Sequence, residues 1–259
     1  MTKQIDMLKG MRLAPSVFPL AMSALGILGL VYGDFALQWQ PVPDWLPGRH
    51  GVAYVSAALL LLGGIGVFIK PVSERSALAL VLVLFSTWVL PQALKVAATA
   101  ISVGSLLGLC ETLAAMSGGW LLWAAIAGRG TEVARRLFGI CCVIFGLSHF
   151  AYADFTASMI PHWIPARLVF AYATGAGHIA AGLCITLAIR PRLAATLEAL
   201  MMSSFVILLH IPSLWADPPP DWAPTVRIQV TALFWASALA GSAWLAAASL
   251  RSTSPSPRP

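Results

Sequence analysis

Along the chain, apolar residues gather in eight stretches of about 20, at 14–33, 50–69, 76–94, 104–127, 136–153, 168–189, 194–212 and 225–249. Charge and proline concentrate between them. A helix rises 1.5 Å per residue, so about 20 residues cross the roughly 30 Å of hydrocarbon in a bilayer. The pattern therefore predicts an all-α membrane protein of about eight transmembrane helices. The first stretch holds Pro15 and Pro19 near its start and has no small-residue cleavage pattern before Asp34, so it reads as a span rather than a signal peptide.

The order of residues repeats. Tyr32-Gly33-Asp34-Phe35 matches Tyr152-Ala153-Asp154-Phe155, and Pro43-Asp44-Trp45-Leu46-Pro47-Gly48-Arg49 matches Pro161-His162-Trp163-Ile164-Pro165-Ala166-Arg167. The match runs on through Tyr54 with Tyr172, Gly64 with Gly182, Lys70-Pro71 with Arg190-Pro191, and Pro91 with Pro212. Each copy has four spans, so the copies share one orientation, and the repeat is parallel rather than inverted. The expected organisation is an N-terminal segment 1–13, a four-helix unit 14–127, a linker 128–135, a second four-helix unit 136–249 and a Ser/Pro-rich tail 250–259.

Composition agrees with membrane residence: 59% of residues are apolar and 10% charged, against about 25% charged in soluble domains. With the N-terminus inside, twelve of the sixteen Lys and Arg fall on inner segments and only Arg49, Lys95, Arg167 and Arg227 on outer ones. That positive-inside bias predicts both termini in the cytoplasm and points to a bacterial inner membrane. The bases are scattered singly and never interleave with aromatics in a polar stretch, which argues against nucleic acid. The cysteines Cys110, Cys141, Cys142 and Cys184 lie in apolar runs without zinc spacing and read as inert thiols. The sequence holds no hydrolytic triad, nucleotide loop or HExxH pair.

What the copies share reads as scaffold. The outer Asp and the Pro-x-Trp loop combine an interfacial anchor, two stiffening prolines and a base that opens the next helix, and the loops could also cover an outward-facing pocket. What they do not share is more telling. His149 aligns with Gly29, His178 with Leu60 and His210 with Val89, while Glu111 belongs to the first copy alone. Ionisable groups inside a span cost free energy and usually face a bundle interior or a cavity. His149, His178, His210 and Glu111 are therefore the site candidates, with Asp154, Trp163 and Tyr172 at the outer rim. Counted from Asp154 and Arg167, His149 lies roughly 7 Å deep and His178 roughly 16 Å. On that count His149 meets His210 near the outer surface, the one pair that could hold a metal, and His178 sits beneath them. Gly175, His178 and Gly182 share a helix face where small residues let helices approach.

The segment Gly146-Leu147-Ser148-His149-Phe150, then Asp154, Pro161 to Pro165 with its central Trp, Tyr172 to Gly182 and the helix ending at Pro212, resembles the DoxX-like membrane proteins. The resemblance covers about residues 136–215, and the first copy resembles a degenerate second unit without the histidine of its first span. It implies a four-helix unit and, for some members, association with quinol-linked oxidation of sulfur compounds or with oxidative-stress complexes. The family often has an acid in its second span, a place held here by His178.

Three readings follow. In the first, the chain is a membrane subunit of a redox system, giving quinone or quinol an outer pocket with His149 and His178 as proton partners and Asp154 as proton exit. Histidine suits that role because it exchanges protons near neutrality. Quinone is then the expected ligand, ahead of haem or copper. In the second, it is an assembly subunit that packs against other membrane or periplasmic proteins or holds lipid, and the histidines bond helices together. The third is a transporter using Glu111 and the histidines as a polar path, which no inverted repeat supports.

Overall fold

The computed structural model describes residues 13–215 and 225–250. They form eight long helices, each apolar enough to cross a membrane: α1 Leu13–Tyr32, α2 Arg49–Gly66, α3 Ser73–Ala98, α4 Val103–Ile126, α5 Glu132–Ala151, α6 Arg167–Thr186, α7 Pro191–Ser213 and α8 Val226–Ser249. No strand occurs among the described residues. A short helix, Ala153–Met159, caps the exit from α5. The N-terminal segment to residue 12, residues 216–224 and the tail from 251, which carry five of the twelve inner Lys and Arg, lie outside the described residues. The linker is shorter than expected, because α5 starts at Glu132 and takes in Arg135. Arg135 is buried, and its guanidinium donates to the Ile185 carbonyl near the end of α6, where a cation meets the negative end of the helix.

The repeat is present in the contacts as well as in the letters. In the first unit a Cβ added to Gly26 would strike Ala57 and Leu61 of α2, and in the second one added to Gly146 would strike Gly175 and Ile179 of α6. Gly64 likewise closes on Pro19 and Ser23, and Gly182 on Gly139 and Val143. These are equivalent positions, so each unit begins with two helices in backbone contact along a glycine seam. Such seams suit lipid, where close packing must do what the hydrophobic effect does in water.

The third helices match too. Phe85–Val89 in α3 and Val206–His210 in α7 each widen into a π turn, and each turn is followed by a Leu or Ile and then a proline. Proline removes a backbone donor and clashes with the preceding turn, and the inserted residue absorbs the misfit. The helix was expected to end at Pro212; it runs through to Ser213, and its counterpart runs through Pro91 to Ala98.

The two units are joined through their fourth helices. α8 packs along α1, α4 packs along α5, and α4 and α8 meet where Gly118 faces the Ser242 hydroxyl. Gly241 lets α8 lie against the backbone of Phe18 in α1. Each fourth helix thus serves the first helix of the other unit as well as the third helix of its own. At the centre, Trp88 of α3 stacks on Trp235 of α8 with centroids 4.6 Å apart.

A Cβ at Gly182 would lie 2.6 Å from the Gly139 carbonyl oxygen, whereas one at Gly51 would meet nothing within 4 Å. Overpacking of this kind costs about 1–3 kcal/mol. Gly182→Ala is expected to lower the thermal midpoint of the purified protein in detergent, and Gly51→Ala to leave it within error.

Candidate functional site

The two units hold very different interiors at corresponding places. In the first, Leu25, Gly29, Leu60 and Trp88 close around a void of about 20 Å³, room for about one water. Their counterparts in the second, Phe145, His149, His178 and Leu209, line a cavity of about 1100 Å³. This cavity runs between α5, α6, α7 and α8, with one wall from the first unit (α4 together with Gln38, Trp39, Gln92 and Lys95) and a cover from the 160–165 segment. Its lining is mainly apolar, interrupted by His149, His178, His210 and Glu111.

The first unit's pocket is filled by charge as well as bulk. Asp34 pairs with Arg49, and Arg227 reaches from α8 to 3.6 Å from the same carboxylate while stacking on Tyr32. Arg227 also donates to the Phe35 carbonyl at 2.8 Å, which ties the last helix to the first loop. In the second unit the corresponding Asp154 is exposed and Arg167 makes no ion pair among the described residues.

His149 and His178 stand together, with ring centroids 5.1 Å apart and planes nearly perpendicular. The expected pairing of His149 with His210 is not what the fold gives. The Ala171 carbonyl, 3.2 Å from His149 Nδ1, sets residue 149 level with residues 171–174. His178 still lies four to seven residues deeper, but α5 and α6 run in opposite directions and each tilts its Cα–Cβ bonds toward its own N-terminus, so the two rings lean toward each other across that offset. A carbonyl only accepts, so Nδ1 of His149 carries the hydrogen and Nε2 is left with a lone pair. Thr174 Oγ1 lies 3.0 Å from the same nitrogen. Among the described residues His149 makes its ring contacts with His178 and Phe205 rather than His210, and no cluster of three or more His, Cys, Asp or Glu could hold a metal. His210 lies on the same cavity wall, in the π turn of α7, without a ring contact or side-chain hydrogen bond among the described residues.

His178 is buried, and its Nδ1 lies 2.6 Å from Oε1 of Glu198 on α7. Glu198 is wholly buried, its Oε2 has no hydrogen-bond partner, and Cys142 of α5 faces the same carboxylate. Sequence reasoning passed over Glu198, and the resemblance had suggested that His178 replaces an acid. In the fold the acid is present, supplied by the next span. A signal existed: residues 178 and 198 are each ten from Ala188, in the turn that joins α6 to α7, so an antiparallel pair brings them level.

Glu111 sits across the cavity, where it accepts from Trp235 Nε1 at 3.2 Å and from Trp39. Trp163 lines the mouth, but Tyr172 points away and packs its ring on Phe150 at 5.5 Å. Of the two tryptophan loops, the second supplies Trp163, Ile164 and Pro165 as cover, while Trp45 of the first is exposed and lines neither space. The comparisons add no relative: no protein-family model, no curated protein and no solved structure matches the chain.

The Asp34 cluster makes a testable contrast. Burial pushes the Asp34 carboxyl up, but the Phe35 backbone N–H at 2.7 Å, then Arg49 and Arg227, outweigh it and hold it below the ordinary 3.8. A carboxyl lowered in the folded state adds stability above its unfolded value, and that stability is lost as pH falls through the folded value. The wild-type thermal midpoint is thus expected to drop on acidification below about pH 4, and Asp34→Asn to start lower at neutral pH and lack that part of the drop.

Proposed function

We propose that the protein is a membrane subunit that binds an amphiphile with a flat carbonyl-bearing head, of the quinone type, in the cavity of its second unit. The observation that carries this is the contrast between a cavity of about 1100 Å³ and its counterpart of about 20 Å³ in the same chain. Ligand sites are typically 300–1,000 Å³, mostly apolar, with a few placed polar groups. One duplicated scaffold has been filled on one side and kept open on the other, and the open side holds the histidines.

The chemistry of the lining suits a ring with a tail. Phe145, Phe205, His149 and His178 offer aromatic faces and edges around one place, with His178 to Phe205 at 5.8 Å and His149 to Phe205 at 6.3 Å. Leu208, Leu209, Ile228, Ala236 and Leu239 continue the wall in apolar side chains suited to an isoprenoid or alkyl tail. The same residues support the DoxX-like reading of the second unit, with Gly146 and Gly175 as its seam and His149 at its cavity. Under the positive-inside bias the cavity opens toward the outer leaflet of a bacterial inner membrane, within reach of a periplasmic or membrane-bound redox partner.

The test is binding of a short-chain alkyl benzoquinone to the purified protein in nanodiscs, read by quenching of tryptophan fluorescence, together with mass spectrometry of material extracted from the native preparation. Wild type is expected to bind and to yield a ring-bearing lipid. His149→Phe is expected to weaken binding of the corresponding hydroquinone, whose O–H can donate to Nε2, about tenfold, the loss of one useful hydrogen bond, and to leave the quinone form nearly unchanged. Ala236→Phe, which fills the cavity, is expected to abolish binding without lowering the thermal midpoint. Absence of binding by wild type, with no aromatic lipid in the extract, would end this reading.

A further inference from the structure

Glu198 is costly where it stands. An acid at the centre of a span costs roughly 2.5–3.5 kcal/mol on insertion scales, and a buried oxygen without a partner adds to that. Among the described residues its one ion-pair partner is His178, and no Lys or Arg touches either side chain. A glutamine could make the same hydrogen bond to Nδ1 without a charge, so the bond alone does not account for a carboxyl group.

Two groups with no other counter-ion in a medium of low dielectric are most stable at zero net charge together. In that state one hydrogen lies along the 2.6 Å line between Oε1 and Nδ1. The second hydrogen of the neutral pair stands on Nε2, because an O–H at Oε2 would be buried with no acceptor. His178 lines the cavity while Glu198 stands behind it, outside the lining, so this Nε2–H is the edge directed away from Glu198. His149 beside it offers the opposite, a lone pair on Nε2, because its own Nδ1 hydrogen goes to Ala171.

We infer that Glu198 and His178 act as one proton-holding pair, which presents Nε2–H of His178 to a carbonyl oxygen of the ligand and can pass that proton to it. This rests on the reading of the cavity as a site for a carbonyl-bearing head. His178 is the group that touches the ligand, and Glu198 is a positioning residue that acts through it. The transfer balances without electrons. When the ligand oxygen becomes an oxyanion, the Nε2–H bond breaks and an O–H bond forms. Nε2 keeps the electron pair, and the negative charge moves to the Glu198 carboxylate, which then accepts from Nδ1–H. The reverse step returns the proton. A quinone-type ring is the class of ligand whose oxygen alternates between these two forms.

The other titratable groups near the pair or around the cavity are His149 and Cys142 on α5, Tyr152 just past its end, His210 farther along α7, Glu111 on α4 and Lys95 on α3. Any of them could give binding a pH dependence, but only Cys142 faces Glu198, so Cys142→Ala is measured beside wild type and is expected to keep the wild-type profile. The experiment is the affinity of the same alkyl benzoquinone, which has no titratable group, between about pH 5 and 10 for wild type, Glu198→Gln and Glu198→Asp. Raising the pH removes the Nε2 hydrogen from the pair. Wild-type affinity is therefore expected to fall by about tenfold in all across the range and then level off, the worth of that one hydrogen bond. Glu198→Gln, whose neutral imidazole keeps its hydrogen, is expected to give a flat profile, and Glu198→Asp to restore the slope. A flat wild-type profile, or a Glu198→Gln profile parallel to wild type, would overturn the inference while leaving the binding site intact. If Glu198→Gln fails to assemble, the wild-type and Glu198→Asp slopes decide. No binding by wild type at any pH would instead remove the proposed function itself.

Discussion

The structure depends on backbone contact between the first two helices of each unit. In lipid, helices gain little from burying apolar surface, so they hold where small residues let them approach, and this chain places glycine at each such point. In the second unit Gly146, Gly175 and Gly182 bring α5 onto α6 closely enough that a side chain on one helix reaches the backbone of the other. His149 does so at Ala171 and lands above His178 as a consequence. The site is thus a product of the seam. A larger residue at Gly146 or Gly175 would separate the imidazoles before it altered either one.

The same seam exists in the first unit without a site, which separates scaffold from chemistry inside a single molecule. Gly26 and Gly64 repeat the packing, and the π turn before Pro91 repeats the bend. Gly29 and Leu60 stand where the histidines would be, and Trp88 and the Asp34–Arg49–Arg227 cluster fill or close the space. Arg227 comes from the last helix of the second unit, so the closing of the first pocket also fastens the two units together. The fourth helices do likewise from the centre. One half of the protein has been given to cohesion, and the other keeps an open interior.

Most of the fold was legible in the sequence because the bilayer imposes it: about 20 apolar residues per crossing, with charge only at the ends, leaves few alternatives. The duplication was legible because Asp34 and Asp154, and the two Pro-x-Trp loops, carry rare residue types in one order. The site was partly legible. His149, His178, His210 and Glu111 all line one cavity, as intramembrane ionisable residues commonly do. Their pairing was not legible, because depth counted along the backbone ignores that side chains on antiparallel α5 and α6 lean toward each other, which brings His149 and His178 together. Glu198 escaped notice for a related reason. A single acid in an apolar run has no partner within its own helix, and only the reach of the α6–α7 turn reveals one. The exchange of fourth helices between units leaves no mark in the order of residues, since it arises from Gly118, Ser242 and Gly241 meeting partners far away in the chain.

The central claim is that one half of a duplicated bundle binds a ligand and the other half does not. Photoaffinity labelling of the protein in nanodiscs with an azido-substituted alkyl benzoquinone, followed by peptide mapping, addresses it most directly. The account predicts labels within 145–164 and 202–210, competed away by unlabelled quinone, and none in the first-unit segments 25–36 and 81–89, which surround the closed pocket. Equal labelling of both units, or labels that unlabelled quinone does not displace, would contradict it.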